Sequence, residues 1–93
     1  MEVTLEKGES KGRYIARFAG KEGVAELTFS IANDHMIIAD HTDVPDSLRG
    51  TGVGKALFLR MVEDARANNT KIIPLCPFVK SQFMKHPETR DVA

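Results

Sequence analysis

Arg49-Gly50-Thr51-Gly52-Val53-Gly54-Lys55 comes directly after a β-like run and directly before an amphipathic helical pattern, and its reading decides the fold. Three glycines at alternate positions make a loop whose backbone N–H groups can all turn toward one point. The following helix adds its own unpaired N–H groups and the positive end of its dipole. Such a loop has the architecture of a phosphate cradle.

Spacing narrows the kind of cradle. A nucleotide P-loop needs G-x-x-x-x-G-K-[ST], yet here the first glycine slot falls on Arg49 and the Mg²⁺-ligating hydroxyl slot on Ala56. A dinucleotide fingerprint needs G-x-G-x-x-G, and its third glycine slot is Lys55. The pattern that is filled is R/Q-x-x-G-x-G/A, by Arg49, Gly52 and Gly54.

Composition bounds the rest. The 93 residues fit one domain, 1–93. A chain of this size buries roughly 60–65% of the surface its unfolded form exposes, which predicts one modest core. The 13 acids balance the 13 bases, and no basic cluster interleaves with aromatics, so a nucleic-acid partner is not expected. The N-terminus is acidic early, and the longest apolar run, Met36 to Ala39, is far short of a membrane span. The reading is a soluble, non-secreted, cytoplasmic chain with no membrane partner. Cys76 is the single cysteine, a free thiol suited to a reducing compartment.

Along the chain, residues 13–19 alternate, with Tyr14, Ala16 and Phe18 on one face and Arg13 and Arg17 on the other. Gly20-Lys21-Glu22-Gly23 offers a hairpin turn. From Val24 to Ile31 the alternation sharpens: Ala25, Leu27, Phe29 and Ile31 face one way, Glu26, Thr28 and Ser30 the other. Asn33-Asp34 turns again, and His35 to Val44 reads as a third strand stopped by Pro45. Leu57, Phe58, Met61, Val62 and Ala65 then repeat at helical spacing from Lys55 to about Ala67. Asn68-Asn69 tolerates a left-handed C-terminal turn, and Lys71 to Cys76 is extended and apolar. A strand–helix–strand unit of this kind makes its two strands parallel, and Pro74 is comfortable only if the second splays from the first. Pro77 opens a last short helix to about Lys85, Pro87 closes it, and Glu88 to Ala93 reads as frayed. The class is therefore α+β (α/β), an antiparallel meander followed by a βαβ unit.

This order of elements resembles the central and C-terminal part of the GNAT superfamily of acetyl-CoA-dependent N-acetyltransferases, whose pyrophosphate motif is R/Q-x-x-G-x-G/A. Asp40-His41-Thr42-Asp43-Val44-Pro45, Leu48 to Gly54, and Ile73-Pro74-Leu75-Cys76-Pro77-Phe78-Val79-Lys80 look like a small GNAT subgroup of about this length, over roughly residues 13–87. The resemblance implies acetyl-CoA as cofactor, with its pyrophosphate on the backbone of Arg49, Gly50, Thr51, Gly52, Val53, Gly54 and Lys55. It also implies a pantetheine arm lying along the strand edge from Thr42 to Val44. Lys80 is placed to reach a coenzyme phosphate. Two departures stand out. Only Glu6 to Gly12 is available where the family inserts two substrate-covering helices, too short for one stable helix. Where many members carry a proton-donating tyrosine, the nearby aromatic is Phe78.

Acetyl transfer to an amine needs a neutral nucleophile, a donor to the developing oxyanion and a proton for the departing thiol. Cys76 precedes a helix N-terminus, where the dipole favours thiolate. It is read as acyl acceptor, as acid, or as a buried small hydrophobe lining the pocket. His41 is the general-base candidate, or a structural histidine at a strand end. Alternation sends Asp40 to the opposite face from His41 unless a bulge intervenes. Glu26 lies where glutamates activate amines in many members, or is simply an exposed strand residue. His35 and His86 read as surface residues. Three function classes compete: an N-acetyltransferase acting on an unidentified amine or peptide, a non-catalytic acetyl-CoA-binding module, and a ligand-free interaction domain. A chain lacking its own lid can also take cover from a second copy, as a homo-oligomer through its outer strand.

Overall fold

The computed structural model describes residues 1–93. An additional strand, β1 (Glu2–Lys7), leads into the meander of β2 (Lys11–Arg17), β3 (Ala25–Asn33) and β4 (Met36–Asp43), each pairing antiparallel with the next. Alternation in β3 buries Ala25, Leu27 and Phe29 and leaves Glu26, Thr28 and Ser30 on the other face. β1 is the strand that the pass along the chain leaves unassigned. It lies at the sheet edge, and none of its residues is fully buried, so the apolar contrast that marks an inner strand is weak there. The β1–β2 connection, Gly8 to Ser10, is a tight reversal in which the Gly8 N–H donates to the Lys11 carbonyl at 2.8 Å. No helix covers the sheet there.

The long helix α1 (Val53–Ala67) starts two residues before the expected Lys55 and buries Val53, Leu57, Phe58, Met61, Val62 and Ala65. It ends where Asn69 adopts φ 53°, the left-handed turn expected of that pair. The chain then returns as β5 (Lys71–Pro74), parallel to β4, giving the order β1-β2-β3-β4-β5. The last β4–β5 pair is Ala39 with Pro74. Having no N–H to donate, Pro74 ends the ladder, and β5 stops two residues short of Cys76. Helix α2 (Pro77–Lys85) keeps its expected limits, with proline in the first turn.

The C-terminus corrects an expectation. Pro87–Val92 is a 3₁₀ segment, not a frayed end, with Thr89 and Val92 buried. Arg66 of α1 holds it, donating through Nε to Asp91 at 2.7 Å and through Nη2 to the Glu88 carbonyl at 2.6 Å. A polar hexapeptide reads as disordered until this long-range partner is known.

Helices α1 and α2 pack on one face of the sheet, with Pro87–Val92 against both helices, over a core of 18 buried residues in which Phe58 and Phe83 meet edge to face at 5.0 Å. Tyr14 pins β2 to α1 from inside this core, its hydroxyl donating to Asp64 Oδ2 at 2.8 Å while Arg60 reaches the same carboxylate and the Val3 carbonyl. Burial, and then the Asp64 carboxylate, push the Tyr14 phenol up, so it stays protonated and donates. Tyr14→Phe is expected to cost about 1.5–3 kcal/mol in urea denaturation, the worth of a bond to a charged acceptor. An unchanged midpoint would show that apolar packing alone holds the two elements.

Candidate functional site

The glycine loop begins after a single 3₁₀ turn, Asp46–Leu48. Gly50 has φ 76° and Gly52 φ 82°, a left-handed pair that L side chains resist, and Gly52 is the N-cap of α1. Not every N–H here is available. Arg49 donates to the Asp46 carbonyl at 3.2 Å and Thr51 to the Leu48 carbonyl at 3.3 Å. The N–H groups of Gly50, Gly52, Val53, Gly54 and Lys55 make no such bond, and the first turn of α1 contains no acid that would compete with an anion. A side chain added at Gly50 or Gly52 would meet nothing within 4 Å, so open space lies in front of both. Gly54 differs: a Cβ there would lie 2.9 Å from Phe78 Cζ, and its bareness admits the Phe78 ring against the helix.

The flanking cations lie outside this backbone. Arg49 pairs with Asp46 at 3.0 Å and is largely exposed. Lys55 and Lys80 are both exposed, on the first turn of α1 and on α2.

Beside the loop, β4 loses its neighbour. Past Ala39 it runs on to Asp43 with no β5 residue opposite, while the N–H groups of Leu75 and Cys76 both donate back to the Ala39 carbonyl, at 3.1 and 3.0 Å. The strands part here, and the edge from Thr42 to Val44 borders the gap. Cys76 is buried at the gap's inner side as the N-cap residue of α2, its Sγ 3.3 Å from Thr42 Oγ1. That hydroxyl contact was not foreseen.

Plain alternation, which would send Asp40 to the face opposite His41, is broken by a bulge. Thr28 pairs with His41 and Phe29 with Ala39, so Asp40 is the extra residue. Asp40 therefore joins His41 on the face away from the helices, where its Oδ2 accepts from Ser30 Oγ at 2.7 Å. Two consecutive polar residues between Ala39 and Thr42 were the available signal for it. Glu26 shares this face but is engaged, accepting from Arg13 Nη1 at 2.9 Å. Thr42 pairs with Leu27 and thus faces the helices, so His41 and Cys76 stand on opposite sides of the sheet. His35 is exposed at the turn, and His86 lies against the Phe58 ring with its Nδ1 3.2 Å from Glu88.

A bare backbone cradle at the start of a helix, next to a parting pair of parallel strands, has the donors that an extended phosphate-bearing ligand needs. Residues 13–92 match the family model described as GCN5-related N-acetyl-transferase. Among solved structures, the chain is similar to the solution NMR structure of a GCN5-like candidate N-acetyltransferase from Staphylococcus aureus. The identity is 38%, the TM-score 0.69, and the match covers 96% of this chain and 85% of that one. No curated protein matches the sequence. No helix is long and apolar enough to cross a membrane, and no group of three metal-ligating side chains is present.

Proposed function

Because the chain belongs to the GCN5-related N-acetyltransferase family, we propose that it binds acetyl-CoA and transfers the acetyl group to an amine. The observation that carries this reading is the set of unpaired N–H groups at Gly50 and from Gly52 to Lys55, with open space at Gly50 and Gly52, near the gap between β4 and β5. The residues fit the ligand: backbone donors and a helix dipole for a pyrophosphate, and an unpaired strand edge at Thr42 to Val44 for the amides of a pantetheine arm. Arg49, Lys55 and Lys80 supply positive charge near the cradle without entering it.

Bound acetyl-CoA supplies an activated acyl thioester. The amine nitrogen bonds to the acetyl carbon as the carbon–sulfur bond breaks; one amine proton leaves and the departing thiolate takes one up. On the open face His41, next to Asp40, is the base within reach of an amine arriving beside the bulge. On the inner face Cys76 is the one group in the gap that can hold and give a proton at Sγ, or take the acetyl group in passing. Thr42 Oγ1 fixes that sulfur's position.

Isothermal titration with acetyl-CoA, against ATP and NAD, tests the premise. Selective micromolar or tighter binding is expected, and a folded protein that binds none of them would reduce the glycine loop to a turn. Release of coenzyme thiol in the presence of amines then separates a transferase from a module that only holds acetyl-CoA.

A further inference from the structure

The open face of the sheet carries a cleft of about 560 Å³ that no part of the cradle reaches. It runs across four strands, from Glu6 and Lys7 on β1, over Lys11 and Arg13 on β2 and Ser30 on β3, to Asp40 on β4. Asp40 is the first residue past the last β4–β5 pair, so this end opens onto the gap where the thioester would arrive.

Charge along the cleft is unevenly spent. In the middle, Arg13 is neutralised by Glu6 and Glu26, each at 2.9 Å. At the gap, Asp40 has only the Ser30 hydroxyl. At the hairpin end, Lys7 and Lys11 enter no ion pair. Lys11 pairs in register with Ser30, which faces the open side, so Lys11 faces it too. Neighbouring strands lie about 4.8 Å apart, which puts Lys11 on β2 roughly 10 Å from Asp40 on β4. Lys7 pairs with Gly12 opposite the buried Phe29 and so turns to the helix face, which leaves the cleft a free carboxylate beside the gap and one free ammonium group, that of Lys11, at its far end.

We propose that this cleft binds the acceptor, and that the acceptor is a primary amine carrying an anionic group, carboxylate or phosphate, at the other end of a short chain. The amine meets Asp40 and His41 beside the gap, and the anion meets Lys11. The identification of the acceptor rests on the acetyltransferase reading; the cleft's preference for such a ligand does not.

Titration of the ¹⁵N-labelled full chain with 6-aminohexanoate, 6-aminohexyl phosphate, hexylamine and 1,6-diaminohexane tests it. The two anionic amines should shift the amides of Lys11, Gly12, Ser30 and Asp40 and bind about tenfold tighter than the other two, the value of one charge-assisted contact. The better of the two identifies the anion. With acetyl-CoA present, thiol release should follow the same order, and Lys11→Glu should remove the preference by raising KM. Lys11→Gln is the second variant should the first fail to fold. Equal or tighter binding of hexylamine or the diamine, shifts elsewhere, or a preference that survives both variants would overturn the proposal. Selective cleft binding without thiol release would sink the transferase reading and leave this one standing.

Discussion

Gly52→Val is expected to abolish acetyl-CoA binding, weakening it by about a hundredfold or more, because a branched side chain would fill the open space at the helix start beside the unpaired N–H groups. The variant must also bear strain. Gly52 sits at φ 82°, where a β-branched residue costs of order 1–3 kcal/mol, so a lower melting temperature with an intact sheet is part of the expectation. Gly52→Asn separates strain from occlusion, since asparagine tolerates the left-handed region while still filling the space. Both variants should lose binding, and the asparagine one should lose less stability. Full affinity in either, with the protein folded, would remove the cradle from the mechanism.

The second large effect is at Cys76. Cys76→Ala should bind acetyl-CoA within about twofold of the parent yet lose about two to four orders of magnitude in turnover, the usual range for a missing acid or nucleophile. Its stability cost should stay near 1 kcal/mol, since one buried sulfur is removed without a large cavity. Intact mass after incubation with acetyl-CoA and no acceptor divides the two chemical roles. A gain of one acetyl group, absent from Cys76→Ala, marks an acyl carrier, and no gain marks an acid. Turnover retained in Cys76→Ala would return the residue to the core, as a small apolar side chain capping α2.

Much of this was legible in the residues. Period-two alternation in β3, the helical repeat from Leu57 to Ala65, and the paired signals Asn68-Asn69 and Pro77 fix their elements because each is a local preference that packing reinforces. The parting of β4 from β5 followed from Pro74, a residue with no donor for the ladder. What escaped depends on partners distant in sequence. β1 is held by pairing with β2 rather than by its own pattern, and the last six residues by Arg66. The site divides in the same way. The open space at Gly50 and Gly52 follows from glycine itself, but Gly54 is bare to admit Phe78, a contact across 24 residues. The Thr42–Cys76 contact was invisible for the same reason, since it joins β4 to the residue that caps α2, 34 residues on. The bulge at Asp40 lies between these cases, a break in alternation with local evidence but no local proof.

The interrupted ladder also gives β4 two unlike sides. Toward β3 its amides are paired to the end of the strand, whereas toward β5 the pairing stops at Ala39, in the interior of a five-stranded sheet. Hydrogen exchange should therefore divide the strand lengthwise: alternate amides between Asp40 and Val44 slow, the ones between them as fast as at an outer edge. A ligand lying in the gap would close that division, so the chain's resistance to local opening would rise and fall with the concentration of whatever completes its sheet.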